Sequence, residues 1–185
     1  NPAGNTGVTS LLVLGGSTND FNVDNLTIAG RKSNATVSIL AGGSFDLTGV
    51  AGGGTGTLDL SRRTTNTGTN TTGTLDLADA ASVPIDVDTI RMGSITTGSG
   101  GGDSRGVWNF SNMSNTVSAD TILVGDSPAA GNTDVTSTIL LGSGANNVNV
   151  DTWTVGGRKS QGEVTINPGG TLTLSGNDNA RADLF

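Results

Sequence analysis

Apolar residues recur two apart along the whole chain. Leu26/Ile28, Leu58/Leu60, Ile90/Met92, Ile122/Val124 and Trp153/Val155 form one set of such pairs. Leu12/Leu14, Val37/Ile39, Leu75/Leu77, Trp108/Phe110, Ile139/Leu141 and Val164/Ile166 form a second. A period of two is the signature of β-strands with one face turned inward. It predicts strands near 11–14, 36–39, 74–77, 107–110, 138–141 and 164–166 around the second set. A third, weaker set falls at Phe21–Val23, Ser44–Leu47, Val83–Val87, Thr116–Ser118, Asn147–Val150 and Thr171–Leu174. Gly, Asn, Asp and Pro stand at most of the breaks, as turns require. Helical periodicity is missing, because Gly or Thr interrupts every candidate window.

These strands repeat. Residues 4–49 align without a gap on residues 131–176, with 23 identities in 46 positions at an offset of 127. Gly4-Asn5-Thr6 meets Gly131-Asn132-Thr133, Asn22-Val23-Asp24 meets Asn149-Val150-Asp151, and Gly30-Arg31-Lys32-Ser33 meets Gly157-Arg158-Lys159-Ser160. A shorter period lies inside this offset. Segments starting at Asn25, Thr57, Thr89, Thr121 and Thr152 are spaced by 32, 32, 32 and 31 residues. Asp24, Asp88, Asp120 and Asp151 precede four of the five. A repeat of this length means one structural unit stacked on the next.

Three short strands in each unit of about 32 residues predict an all-β fold, a three-faced parallel β-solenoid of about six rungs, as one domain over 1–185. At about 4.8 Å per rung, the rod is about 29 Å long. The apolar pairs form the interior columns, with Trp108 and Trp153 pointing inward. Outward residues form ladders: Asn25, Thr57, Thr89, Thr121 and Thr152 in one, Thr27, Asp59, Arg91, Leu123 and Thr154 in the next. Asp59 and Arg91 are expected to pair. Arg62–Gly73 and Ile95–Gly106 are expected as long polar loops.

Composition narrows the chemistry. Gly, Thr, Asn and Ser number 30, 28, 18 and 18, about half the chain. There is no Cys, His or Tyr, which removes disulfide scaffolds, Cys/His zinc sites, Ser-His-Asp and Cys-His catalysis and His-ligated haem. The net charge of −7 leaves no basic face for nucleic acid. The longest apolar runs, such as Leu11–Leu14, fall far short of a membrane span. The start at Asn1-Pro2-Ala3, with neither an initiator Met nor a signal peptide, reads as a mature product or a fragment.

Three stretches carry a family likeness. These are Asp-Thr-Ile-Leu-Val-Gly at 120–125, Gly-Gly-Thr-Leu-Thr-Leu-Ser-Gly at 169–176, and the Gly-Thr-Leu-Asp-Leu pair at 56–60 and 73–77. With them the chain resembles the autotransporter-associated β-strand repeats of bacterial passenger domains and similar repeats in giant extracellular adhesins. The resemblance covers nearly the whole chain and implies a secreted, elongated, mostly non-enzymatic scaffold.

On a solenoid, catalytic or binding chemistry belongs on the outer faces. Enzymatic solenoids acting on polysaccharides need clustered carboxylates on one exposed face. The candidates are Asp59, Asp76, Asp86, Asp88, Arg91 and Asp103, and repetition of Gly-Thr-Leu-Asp-Leu accounts for Asp59 and Asp76 without catalysis. Asp24, Asp88, Asp120 and Asp151 recur at one rung position and read as turn residues. The dense Gly-Gly-x-Gly-x-Asp array of calcium solenoids is absent, so calcium is only a weak option. Gly30-Arg31-Lys32-Ser33 and Gly157-Arg158-Lys159-Ser160 lack phosphate-loop spacing and read as basic turns. A regular Thr-x-Thr ice-binding face is broken by Asp59, Arg91 and Leu123. Five Asn-x-Ser/Thr sequons occur, at Asn25, Asn34, Asn70, Asn109 and Asn112, with Asn70 the most accessible by position.

No catalytic, cofactor or metal residue is therefore assigned. The expected function is a non-enzymatic structural protein outside a bacterial cell, as a stalk or adhesin segment or as a subunit stacking head to tail through its terminal rungs. The alternative is a carbohydrate-binding or carbohydrate-cleaving β-helix protein, with surface glycans as partners.

Overall fold

A computed structural model describes residues 8–30, 33–64, 70–96, 102–127, 136–177 and 182–185. Gly4-Asn5-Thr6, Gly131-Asn132-Thr133, the Arg31-Lys32 pair and the centres of the two long loops lie outside these residues. The described chain is nearly all strand, in parallel sheets, as a β-solenoid requires.

The first rung holds β1 (Val8–Leu14), β2 (Thr18–Asn22) and β3 (Asn25–Gly30). The second holds β4 (Ser33–Ile39), β5 (Ser44–Thr48) and β6 (Thr57–Arg63). The third holds β7 (Thr71–Asp76) and β8 (Val83–Ile95), the fourth β9 (Ser104–Asn109) and β10 (Ser114–Val124), and the fifth β11 (Thr136–Leu141) and β12 (Ala145–Val155). The sixth holds β13 (Gln161–Ile166), β14 (Thr171–Ser175) and the short β15 (Asp183–Leu184). One sheet runs β1-β4-β7-β9-β11-β13; the other runs β2-β5-β8-β10-β12-β14, with β3 and β6 pairing toward β8 and β15 pairing with β12.

The register reproduces the predicted ladders. Asn25 pairs with Thr57, Thr57 with Thr89, Thr89 with Thr121 and Thr121 with Thr152, and Asp183 adds a sixth member. In rungs three to five, however, the two predicted strands of the second sheet run as one. At Asp88, Asp120 and Asp151 the ladder skips a single residue while the strand continues. These aspartates therefore mark interruptions inside β8, β10 and β12, not turns between strands; only Asp24 stands between two strands. The long loops are also shorter than expected, because Arg62 and Arg63 pair with Ser94 and Ile95, and Thr71 and Thr72 with Ser104 and Arg105.

Alternation places Leu58, Leu60, Leu75, Leu77, Ile90, Met92, Trp108, Ile139 and Leu141 in the buried interior. Burying one such side chain contributes about 1.5–3 kcal/mol, and parallel stacking merges the columns into one core. Trp108 and Phe110 lie 4.2 Å apart, centroid to centroid, inside it.

Two repeated devices shape the rungs. After the inner apolar pair, Ala29, Ser61, Gly93, Gly125 and Gly156 all take positive φ, between 61° and 74°. In β3, β6 and β8 the ladder skips this left-handed residue and resumes just after it, at Gly30, Arg62 and Ser94. Gly125 has a further reason to lack a side chain: a Cβ there would collide with the Gln161 carbonyl. The other device is an inward asparagine that braces the preceding turn. Asn19 Nδ2 donates to the carbonyls of Gly15, Ser17 and Ser44 at 3.0, 2.9 and 3.0 Å. Asn146 Nδ2 donates to Gly142, Gly144 and Thr171 at 3.0, 3.1 and 2.9 Å, each partner displaced by the same 127 residues. Asn115 makes the equivalent bond to Ser111 O at 2.8 Å.

Candidate functional site

The candidate carboxylates do not converge on one centre. Asp59 and Arg91 pair as expected at 3.3 Å, and Arg62 contacts the other oxygen of Asp59 at 3.3 Å. Asp59, expected on an outward ladder, is instead only 1% exposed and is bridged to both arginines. Asp76 accepts from Asn109 Nδ2 at 3.2 Å, and Asp88 from Thr89 Oγ1 at 2.7 Å. Asp103 donates its backbone N–H to Asn70 Oδ1 at 3.0 Å.

Asp86 and Asp120 do come together. With Gly53, Gly54, Ser118 and Asn177 they line a polar groove of about 390 Å³ on the outside of the second sheet. Asp86 Oδ1 accepts from the Gly54 N–H at 2.7 Å, and Asp120 Oδ1 from Asn177 Nδ2 at 2.9 Å. The segment around Gly53 and Gly54 belongs to the second rung but reaches over the third, and this creates the wall. Sequence reasoning placed Asp86 among the candidates and Asp120 among the turns, and it missed the groove. The groove is lined by two carboxylates, a hydroxyl, an amide and two glycines, with no aromatic residue. Among the described residues no three His, Cys, Asp or Glu side chains are placed to hold a metal ion.

Other charges serve the rung junctions. Asp126 accepts from Arg158 through the backbone N–H at 3.0 Å, Nε at 3.1 Å and Nη2 at 2.7 Å. That hydrogen bonding holds the Asp126 carboxyl below its ordinary range. The basic turn Gly157–Ser160 thus clasps the rung before it. Arg63 is buried and donates to the Gly102 carbonyl; burial lowers its pKa, opposed by Asp103. Asp20 and Asp46 stack in register, and burial together with Asp20 raises the Asp46 pKa.

Of the sequons, Asn34 and Asn109 are half-buried and engaged with Thr72 N–H and Asp76, while Asn25, Asn70 and Asn112 are exposed. Trp108 and Trp153 both point inward as predicted, 0% and 2% exposed, so neither offers a face for stacking sugars. No helix among the described residues is long and apolar enough to cross a membrane.

The two ends of the solenoid stand out more than any outer face. At the last rung Trp153, Val155, Val164, Ile166, Leu172, Leu174 and Leu184 surround an apolar pocket of about 210 Å³. At the first, Leu12 is 49% exposed although it begins an interior column. Comparison with protein-family models, curated proteins and solved structures gives no match for the chain.

Proposed function

We propose that this chain is a non-enzymatic structural solenoid, extended end to end outside a bacterial cell. It serves as a stalk or adhesin segment, like the passenger repeats it resembles, or as a subunit stacked head to tail. The observation that carries this reading is the apolar bore that no described residue covers at the first rung and that lines an apolar pocket at the last. Large apolar patches left open mark interaction surfaces, and open solenoid ends present unpaired strand edges unless something covers them. Leu12, Leu14, Phe21 and Leu26 begin columns that end at Val164, Ile166, Leu174 and Leu184. A further rung at either end would extend every one of them.

Electron microscopy of untrimmed, untagged material tests this. Thin fibres with an axial repeat at a multiple of about 4.8 Å support the structural reading. Discrete short rods that turn over or bind glycans overturn it and favour the second reading, a carbohydrate-directed β-helix. The Asp86–Asp120 groove is the observation on that side, since paired carboxylates, a hydroxyl and an amide suit sugar hydroxyls.

A further inference from the structure

The duplicated sequence makes the first and fifth rungs variants of one unit, and the matching brackets made by Asn19 and Asn146 carry this identity into three dimensions. The fifth rung sits on the fourth. There Asn146 Oδ1 accepts a 2.8 Å bond from Asn115 Nδ2, and Ile139 packs on Trp108 in register. In the first rung no described residue covers the same face. Leu12, at the place of Ile139, is 49% exposed against 2%. Asn19 Oδ1, at the place of Asn146 Oδ1, receives no hydrogen bond from any described residue.

We propose that this face of the first rung is a docking surface for a neighbouring solenoid rung of the fourth rung's kind. That rung carries an inward asparagine where Asn115 stands and a bulky apolar residue where Trp108 stands. The proposal rests on the end-to-end reading and specifies the neighbour. The observed junction of rungs four and five is its template, whereas stacking a second copy's sixth rung here sets Leu172 over Asn19. Leu172 has no donor for the Asn19 oxygen, and burying that oxygen unpaired disfavours the arrangement.

The test appends residues 70–130 of this sequence ahead of residue 4 of the chain, the junction dictated by the 127-residue offset. Amide hydrogen exchange is followed over Val8–Leu14 and Thr18–Asn22, and strand content by circular dichroism. Covering these strands is expected to slow their exchange by about 100-fold or more, and Asn115→Ala in the appended copy alone to lose about ten-fold of that protection. Unchanged exchange beside folded added rungs overturns the proposal, and added rungs that stay unfolded overturn it equally, since the face is then no template. The unextended chain at rising concentration separates the two readings. If its Val8–Leu14 amides become protected while the extended chain's do not, a second copy's sixth rung is the occupant and the end-to-end reading survives alone. If neither chain gains protection, both readings fall.

Discussion

The first and fifth rungs share half their residues in the duplicated stretch but have different surroundings. Leu12, Phe21, Val23 and Leu26 in the first correspond to Ile139, Val148, Val150 and Trp153 in the fifth. All four residues in the fifth are at most 2% exposed, while their counterparts range from half-buried to exposed. The pattern of side chains is the same, so exposure is set by the neighbouring rung. A stacked solenoid behaves this way because each unit contacts only the units beside it.

The largest expected effect follows directly. Ile139→Ala removes a side chain packed between two rungs and is expected to lower stability by about 2–5 kcal/mol. Leu12→Ala at the equivalent place is expected to cost under about 1 kcal/mol, because part of its surface already meets water. Urea denaturation of both variants measures the contrast. Equal losses would break the comparison and mean that the first rung is covered in solution.

A smaller contrast lies at the left-handed position. Ala29 and Gly156 hold equivalent places, with φ of 61° and 74°. A Cβ on Gly156 meets its nearest neighbour, the Gly162 N, at an ordinary 3.5 Å, so Gly156→Ala is a conformational penalty with little collision. A loss of about 1–2 kcal/mol is expected. Ala29→Gly relieves the same strain but adds backbone entropy to the unfolded chain and removes a buried methyl, so it is expected within about 1 kcal/mol of neutral. Thermal melts of the two variants check this; a large gain for Ala29→Gly would show that strain dominates at the first rung.

These contrasts also show what the sequence reveals and what it hides. The Asn25-Thr57-Thr89-Thr121-Thr152 ladder was legible because alternation and the 32-residue spacing are both properties of local sequence. The left-handed position was only partly legible. Gly93, Gly125 and Gly156 carry a signal, but Ala29 and Ser61 adopt the same left-handed φ with residue types that do not announce it. The bracing asparagines were hidden among 18 in the chain, and only the shared 127-residue offset of Asn19 and Asn146 could have picked them out. The groove at Asp86 and Asp120 depends on the Gly53–Gly54 segment crossing to the next rung, and no periodicity reports that crossing.

The smallest expected effect separates the duplicated halves by charge. In the first half Asp20 stacks on Asp46; the equivalent pair in the second half is Asn147 on Thr173, with no charge. Burial and Asp20 raise the Asp46 pKa above its ordinary 3.8. The folded protein therefore holds this proton more tightly than the unfolded chain, and ionised Asp46 opposes folding above its folded pKa. Asp46→Asn is expected to raise stability at neutral pH, with the gain vanishing as pH falls to 3.8 and below. Asp126, at the junction of rungs four and five, has the opposite sign. Its pKa is lowered, so it contributes stability above 3.8 and loses it as pH falls through the lower folded value. Asp126→Asn is thus expected to weaken the protein at neutral pH and to converge with the parent in stronger acid. Melting temperatures from pH 2 to pH 7 give two difference curves of opposite sign, each a smaller shift than the substitutions above. Curves of the same sign would mean that the like-charged Asp20–Asp46 stack is relieved in solution by a cation or by movement of the first rung.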